Sequence, residues 1–96
     1  MAEYRLSPAA QDDLDGIFDY TVREWGLAQA VRYTRLLEDI CAAVAQAPSQ
    51  GQECGHIRPG YRRHAVEHHF IYYVATDYGI AVIRILHGRM LASLHL

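Results

Sequence analysis

Arginine and histidine side chains gather in the second half of the chain, and they are the residues best suited to chemistry. They are Arg58, Arg62, Arg63, His64, Arg84, His87 and Arg89. A histidine can remove the proton of a ribose 2′-hydroxyl, and arginines can stabilise the phosphorane-like transition state that follows. The same side chains can instead pair with acids such as Glu67 or line the solvent face of a sheet. Residue types alone favour this second interpretation, because short motifs often match by chance.

The distribution of charge bears on the ribonuclease hypothesis as well. The net charge is −2 at pH 7, and all nine basic residues are arginines. Residues 1–50 hold eight acids and four arginines, whereas residues 51–96 hold three acids and five arginines, so the halves carry −4 and +2. A domain that grips an RNA backbone usually has a strong basic footprint, since neutralised phosphates release counterions. The acidic balance weakens the hypothesis without removing it, because a local basic patch can still bind.

The sequence lacks the usual motifs for metals, cofactors and covalent catalysis. Cys41 and Cys54 have no CxxC spacing, so we predict a buried thiol at Cys41 and a loop thiol at Cys54. His68 and His69 are adjacent, which does not suit ligation of one ion, and we interpret them as turn residues. There is no phosphate-cradling Gly-rich loop and no GxSxG motif. We therefore predict no metal and no cofactor.

The first half of the chain predicts a short strand and two helices. The alternation in Glu3–Leu6 suits a strand, and Ser7-Pro8 is a typical N-cap and first helical residue. One buried stripe is predicted on the first helix, at Leu14, Ile17, Phe18, Thr21 and Trp25. Gly26 is placed to end that helix, and a second apolar pattern runs on to Val44, ahead of Ala47-Pro48. The tight connection predicts an antiparallel helical hairpin.

The second half of the chain predicts a sheet. Three β-rich segments, at 61–66, 70–76 and 80–86, are separated by short polar breaks, which favours an antiparallel meander. Neither layer can bury its apolar side alone, so the expected fold is α+β, an N-terminal helical hairpin packed on a small antiparallel sheet. The length suits a single domain over residues 1–96. No segment approaches the roughly 20 apolar residues that span a bilayer, and we predict a soluble, cytosolic protein.

The segment 83–90, with the sequence IRILHGRM, closes the last predicted strand. In strict alternation Ile83 and Ile85 enter the core, whereas Arg84 shares a face with Val82 and Leu86. His87, Arg89 and Met90 then follow as a surface for protein docking.

An ordered set of residues resembles the ParE toxins of bacterial type II toxin–antitoxin modules, within the RelE/ParE superfamily. The set covers Tyr4 to Ala10, Asp13-Leu14, Ile17, Tyr20, Trp25-Gly26, Ala30, Tyr33, Gly60 to Arg63, Tyr73, Arg84 to His87, Met90, His95 and Leu96. The resemblance runs the length of the chain. Many ParE sequences have an acid after the methionine, whereas this chain has Leu91, so the segment 91–96 is expected to pack on the sheet or on a partner.

The resemblance implies a toxin that poisons DNA gyrase, without cofactor, and that a ParD antitoxin neutralises. ParD proteins join a ribbon-helix-helix DNA-binding half to a tail that folds onto the toxin, so operator DNA is met only through the antitoxin. The candidates for gyrase contact are Arg62, Arg63, Arg84, His87, Arg89 and Met90. The candidates for antitoxin contact are Leu14, Ile17, Tyr20, Tyr33, Leu37, Tyr61 and Tyr73.

Two alternatives stay open at the level of sequence. RelE relatives on the same fold cleave messenger RNA in the ribosome, and Arg62, Arg84 and His87 lie near the positions of their catalytic residues. A toxin fold kept only as an antitoxin-binding module is the other alternative. Replacing His87 by Ala separates the first two functions, because loss of an acid or base costs roughly 10²–10⁴ in rate whereas a docking residue costs part of the affinity.

Overall fold

The computed structural model describes residues 2–96, which form two helices and five strands. Strand β1 (Glu3–Leu6) leads into helix α1 (Pro8–Trp25) and helix α2 (Leu27–Gln46). Strands β2 (Gln52–Glu53), β3 (Tyr61–Val66), β4 (His69–Thr76) and β5 (Gly79–His87) follow, with single 3₁₀ turns at Pro48–Gln50 and Ala92–Leu94. The sheet order is β1-β5-β4-β3-β2. The predicted α+β fold, a helical hairpin on a small sheet, is confirmed.

The helix ends follow the predicted signals. The Ser7 hydroxyl accepts a hydrogen bond from the Ala10 amide at 3.0 Å, which satisfies one of the free donors at the start of α1. Gly26 adopts a φ of +91°, and this conformation lets the chain turn from α1 into α2 without the strain that a Cβ would add. Within residues 2–96, neither helix is long and apolar enough to cross a membrane.

One edge of the sheet differs from the antiparallel prediction. Strands β3, β4 and β5 form the expected antiparallel meander, but β1 pairs with β5 in parallel, in the register Glu3↔Gly79 to Leu6↔Val82. No tight turn joins β1 to its neighbour, because the helical hairpin and three strands lie between them in the chain, so the direction of β1 is free to be parallel. The sheet is therefore mixed.

A β-bulge changes which side chains of β5 face the helices. Tyr73 pairs with Val82 and Tyr72 pairs with Arg84, so Ile83 is an extra residue in β5. Val82 and Ile85 consequently pack in the core under the helices, whereas Arg84 lies out of phase with Val82. The predicted burial of Ile85 is confirmed. The prediction that Arg84 shares a face with Val82 was wrong, because strict alternation does not survive a bulge, and Ile83 is only half-buried.

Apolar side chains form two cores, one on each face of the sheet. The main core lies under the helices and includes Leu14, Tyr33, Leu37, Cys41, Val44, Ile71, Tyr73, Ile80, Val82 and Ile85. The outer core on the opposite face consists of Cys54, Tyr72 and Leu86, against which Ile57, Tyr61, Phe70, Ala92 and Leu96 pack. One sequence prediction is corrected here, since Trp25 is 73% exposed at the tip of the hairpin. Cys54 lies in the loop after β2, as predicted, and it is buried.

Candidate docking groove

A groove of about 950 Å³ opens between α1, the start of α2 and one end of the sheet. The helical side contributes Asp12, Asp13, Gly16, Ile17, Tyr20, Thr21, Trp25, Gln29, Arg32 and Tyr33. The sheet side contributes Glu67, His68, His69, Ile85, His87, Arg89 and Met90. Three large apolar side chains of this lining, Tyr20, Trp25 and Met90, are exposed. An open groove with exposed aromatic and thioether groups suits contact with another protein.

Gly16 is an unusual residue in the lining because it sits in the middle of α1. Glycine in a helix interior costs roughly 0.5–1 kcal/mol relative to alanine. A Cβ at this position would meet nothing within 4 Å in the described part of the chain. The fold itself thus does not require a glycine here, and its absent side chain leaves the groove wider at this point.

Three histidines cluster on the sheet side of the groove. His69 and His87 are paired across β4 and β5 with ring centroids 5.3 Å apart, and His68 stacks near His87 with centroids 6.4 Å apart. Burial, reinforced by His87 and His68, lowers the pKa of His69 to about 4, although Asp13 opposes this shift. His69 is consequently a neutral imidazole near pH 7.

Tyr33 fixes the position of His69, the half-buried histidine whose pKa is lowered. Its hydroxyl lies 3.1 Å from the Val66 carbonyl oxygen and 2.6 Å from His69 Nδ1. The carbonyl can only accept, so forming both bonds together requires the hydroxyl to donate to Val66 and the Nδ1–H of His69 to donate to the hydroxyl. Burial also raises the pKa of Tyr33, which keeps the phenol protonated. The hydrogen bond from His69 to Tyr33 thus holds the imidazole in place in the lining of the groove.

Arg84, one of the candidates for gyrase contact, is engaged inside the protein. Its guanidinium makes a two-pronged ion pair with Asp13, with Nε–Oδ2 at 2.7 Å and Nη2–Oδ1 at 2.8 Å. The hydrogen bonds to Asp13 raise the pKa of Arg84 further. Arg84 Nη1 also donates to the His95 carbonyl at 3.2 Å. These contacts join α1, β5 and the segment after β5.

The neighbouring arginines of β3 are engaged as well. Arg62 donates to the Gly51 carbonyl at 2.8 Å and pairs with Glu53 at 3.3 Å. Arg63 donates to the Gln52 side chain at 3.0 Å, and its guanidinium carbon lies 4.2 Å from the centroid of the Phe70 ring. Arg62 and Arg63 therefore stabilise the pairing of β2 with β3, and neither lines the groove.

The other three gyrase-contact candidates, His87, Arg89 and Met90, come together in the groove. The Arg89 amide donates to His87 Nδ1 at 3.1 Å, which orients the imidazole at the end of β5. Among residues 2–96, the Arg89 guanidinium has no hydrogen-bonded or ion-paired partner. Arg89 and Met90 are exposed, and the role of this segment as a docking surface stays a prediction.

Burial divides the candidates for antitoxin contact. Tyr20 is exposed on α1, whereas Ile17 is half-buried against the main core, and both line the groove. The other five are core residues or support the outer core, namely Leu14, Tyr33, Leu37, Tyr61 and Tyr73. The periodicity that selected these residues marks the side of each helix and strand that meets the fold's own core. A partner that leaves the fold intact can therefore contact Ile17 and Tyr20. Of the other five side chains it can contact at most the exposed edges.

Sequence reasoning missed several lining residues. Trp25 was assigned to the core, and His68 and His69 were interpreted as turn residues. A glycine inside a helical pattern is a recognisable signal, and Gly16 could have been found by it. The arrangement lacks the features of a metal site, since residues 2–96 contain no cluster of three His, Cys, Asp or Glu placed for an ion.

The fold of this chain is similar to that of a solved structure. The chain superimposes on one from the chromosomal ParDE TA system from P. aeruginosa with a TM-score of 0.77 and 22% identity, covering 91% of this chain and 96% of that one. At this identity the likeness shows a shared fold. The hairpin on a mixed sheet is thus a small α+β fold that this chain shares with that structure.

Sequence comparison then defines the family. The family described as "ParE toxin of type II toxin-antitoxin system, parDE" matches residues 4–92. Toxin ParE1 of Mycobacterium tuberculosis (strain ATCC 25618 / H37Rv) is 43% identical over 90 residues, 93% of this chain and 92% of that protein. Toxin ParE1 of Caulobacter vibrioides is 40% identical over 96 residues, covering 100% and 99%. This chain belongs to the ParE toxin family of type II toxin–antitoxin systems.

Proposed function

We propose that this toxin stops growth by poisoning DNA gyrase and that a ParD-type antitoxin with a ribbon-helix-helix half neutralises it. The observation that carries the proposal is the family match over residues 4–92. The groove supports it, because exposed apolar side chains at Tyr20, Trp25 and Met90 suit a surface that works by docking.

The engagement of the arginines favours docking over RNA cleavage. A ribonuclease needs cationic groups aimed at the scissile phosphate. Arg84 instead forms a bidentate pair with Asp13, and Arg62 donates to the Gly51 carbonyl and Glu53. His87 lies in the groove, whereas Arg62 lies outside it, so the three residues that resemble a RelE catalytic set do not line one site.

The groove also provides a simple means of neutralisation. An amphipathic helix can lay apolar side chains at helical spacing into such a groove. Its anchors would contact Ile17, Tyr20 and Trp25 on the helical side, and the width at Gly16 admits a close approach. His87, Arg89 and Met90 lie in the same groove, so the bound antitoxin would cover the proposed gyrase surface directly.

The target is tested with two parallel assays of the purified toxin. We expect lost supercoiling and accumulated linear plasmid with gyrase and ATP, and intact messenger RNA with translating ribosomes. Combined replacement of Arg89 and Met90 by Ala should weaken gyrase inhibition by about tenfold or more, since these exposed side chains are proposed contacts. Replacement of Arg5 by Ala is the matched control, because this exposed arginine pairs with Glu3 and does not line the groove. Cut RNA with normal supercoiling would contradict the proposal.

The antitoxin site is tested by filling the groove. Replacing Gly16 by Leu puts a side chain into open space, so the toxin should fold normally while antitoxin affinity falls by about tenfold or more. Replacing Ala43 by Leu adds a similar side chain to an exposed position of α2 outside the groove. Calorimetric titration with the cognate antitoxin compares the two variants. Equal affinities would show that the antitoxin binds elsewhere.

A further inference from the structure

The segment after β5 folds back across the outer face of the sheet. We call residues 91–96 the strap. Ala92 and Leu96 pack on the outer core of Cys54, Tyr72 and Leu86, as expected for a segment that packs on the sheet. All three outer-core residues are almost fully buried beneath the strap, the loop of residues 54–60 and the side chains that pack on them. The strap is thus one of the elements that keep this apolar cluster away from water.

Few interactions hold the strap in place. Arg58 Nη2 donates to the Leu96 carbonyl and Arg84 Nη1 donates to the His95 carbonyl, each at 3.2 Å and each exposed to solvent. Two of the strap's leucines add little burial, since Leu91 is 67% exposed and Leu94 is 75% exposed. Fixing six residues costs conformational entropy, and few buried contacts offset it, which is the pattern of a segment that opens locally.

The main core is enclosed in a different way. Cys41 lies on α2, between the helical hairpin and the sheet, together with fully buried residues such as Leu37 and Tyr73. Access to this thiol requires α2 to leave the sheet, and that amounts to loss of the fold. Many more contacts must therefore break to expose Cys41 than to expose Cys54.

We propose that the strap opens and closes over the outer core while the main core stays folded. The open state exposes the apolar side chains of Tyr72 and Leu86, the Cys54 thiol and the inner side of the strap. The hinge is the segment Gly88–Met90, which follows the last paired residue of β5 and is exposed. This inference depends on the contacts of the strap and not on the identity of the toxin's target.

Alkylation of the two thiols distinguishes two kinds of opening in one molecule: strap opening exposes Cys54, whereas only loss of the fold exposes Cys41. The purified full-length chain is treated with iodoacetamide at pH 8, and alkylation of each cysteine is followed by mass spectrometry of its peptide. Rates are divided by those of the same cysteines in the urea-unfolded chain. We expect Cys54 to react at least about tenfold faster than Cys41, with little dependence on low urea concentrations, because strap opening exposes little surface.

Two serine substitutions within the strap provide the matched comparison. Replacing Leu96 by Ser removes a packed side chain and should raise the Cys54 rate about fivefold or more without changing the Cys41 rate. Replacing Leu94 by Ser alters an exposed side chain and should leave both rates unchanged. If the Leu96 variant does not fold, Arg58→Gln removes only the hydrogen bond to the Leu96 carbonyl and should raise the Cys54 rate by a smaller factor.

Two outcomes would overturn the proposal. Equal rates and equal urea dependence for Cys41 and Cys54 would mean that both thiols are exposed only by global unfolding. A Cys54 rate that is fast but insensitive to Leu96→Ser would mean that the 54–60 loop opens instead of the strap.

Discussion

Asp13 on α1 and Arg84 on β5 meet in a bidentate ion pair, although 71 residues separate them in the chain. The Ile85 amide donates to the same carboxylate at 3.0 Å. Strand β1 ends at Leu6, opposite Val82, so the side of β5 that faces away from β4 has no neighbouring strand beyond that point. The Ser7 amide donates to the Val82 carbonyl, and the Ser7 hydroxyl donates to the Ile83 carbonyl. The next free amide, that of Ile85, donates to Asp13. The start of α1 thus completes the hydrogen bonding of the bulged edge.

Replacing Asp13 by Asn should lower the free energy of unfolding by about 1.5–3 kcal/mol, the usual range for hydrogen bonds to a charged group. The amide oxygen can replace Oδ2, which accepts from both Arg84 Nε and the Ile85 amide, but the amide NH2 then faces Arg84 Nη2, donor against donor, and the negative charge is lost. Urea denaturation at pH 7 measures the change. Asp12→Asn is the control, since that neighbouring acid is exposed, and its effect should stay within about 0.5 kcal/mol. Equal losses would indicate a general effect of charge on α1.

His69 should make the toxin less stable as the pH falls from about 6.5 to about 4. Its pKa in the folded chain is lowered to about 4 by burial and by His87 and His68, whereas a free imidazole titrates near 6.5. The unfolded chain therefore binds more protons in this interval, and acid favours unfolding. We expect a loss of about 1–2 kcal/mol, after allowance for solvent screening at a half-buried site.

Two measurements check the role of His69. NMR titration of its ring protons should give a midpoint near pH 4, with the chain still folded at the start of the titration. Urea denaturation of a His69→Gln variant should show a weaker pH dependence between pH 6.5 and 4 than the unmodified chain, because glutamine does not titrate. A midpoint above pH 6 would show that the imidazole is solvated rather than buried beside Tyr33.

Local patterns determined the elements of this fold but not their long-range contacts. The cap at Ser7, the turn at Gly26 and the helix end before Pro48 depend on neighbouring residues, and all three were predicted correctly. The Asp13–Arg84 pair depends on where β1 stops relative to β5, and the bulge at Ile83 shifts the strand by one residue. Neither feature leaves a periodic signal in the sequence. Trp25 continues the buried spacing of α1 but lies beyond the sheet that would cover it.

Tyr73→Phe should lower the free energy of unfolding by about 1–3 kcal/mol, the cost of leaving buried polar groups unpaired. The Tyr73 hydroxyl donates to the Pro48 carbonyl at 2.7 Å and accepts from the Gly51 amide at 3.0 Å. It therefore ties the segment after α2 to the centre of the sheet. Thermal unfolding of the variant measures the loss, and Tyr20→Phe serves as the control because that ring is exposed. Equal melting temperatures for the two variants would show that water replaces these bonds.

Trp25→Ala should separate stability from antitoxin binding. The side chain is 73% exposed, so its removal should change the free energy of unfolding by no more than about 0.5 kcal/mol. It also lines the groove, and loss of a large aromatic anchor commonly weakens an interface by about tenfold or more. Leu27→Ala is the matched control, because Leu27 is 62% exposed at the same hairpin tip but lies outside the groove.

Calorimetric titration of both variants with the cognate antitoxin distinguishes two modes of binding at the hairpin. If the antitoxin lies in the groove, Trp25→Ala reduces affinity and Leu27→Ala does not. Similar losses for the two variants would instead indicate a partner that covers the whole tip, since the two side chains are exposed on either side of the Gly26 turn. No loss for either variant would contradict a contact at this end of the groove and limit binding to the part near Gly16 and Ile17.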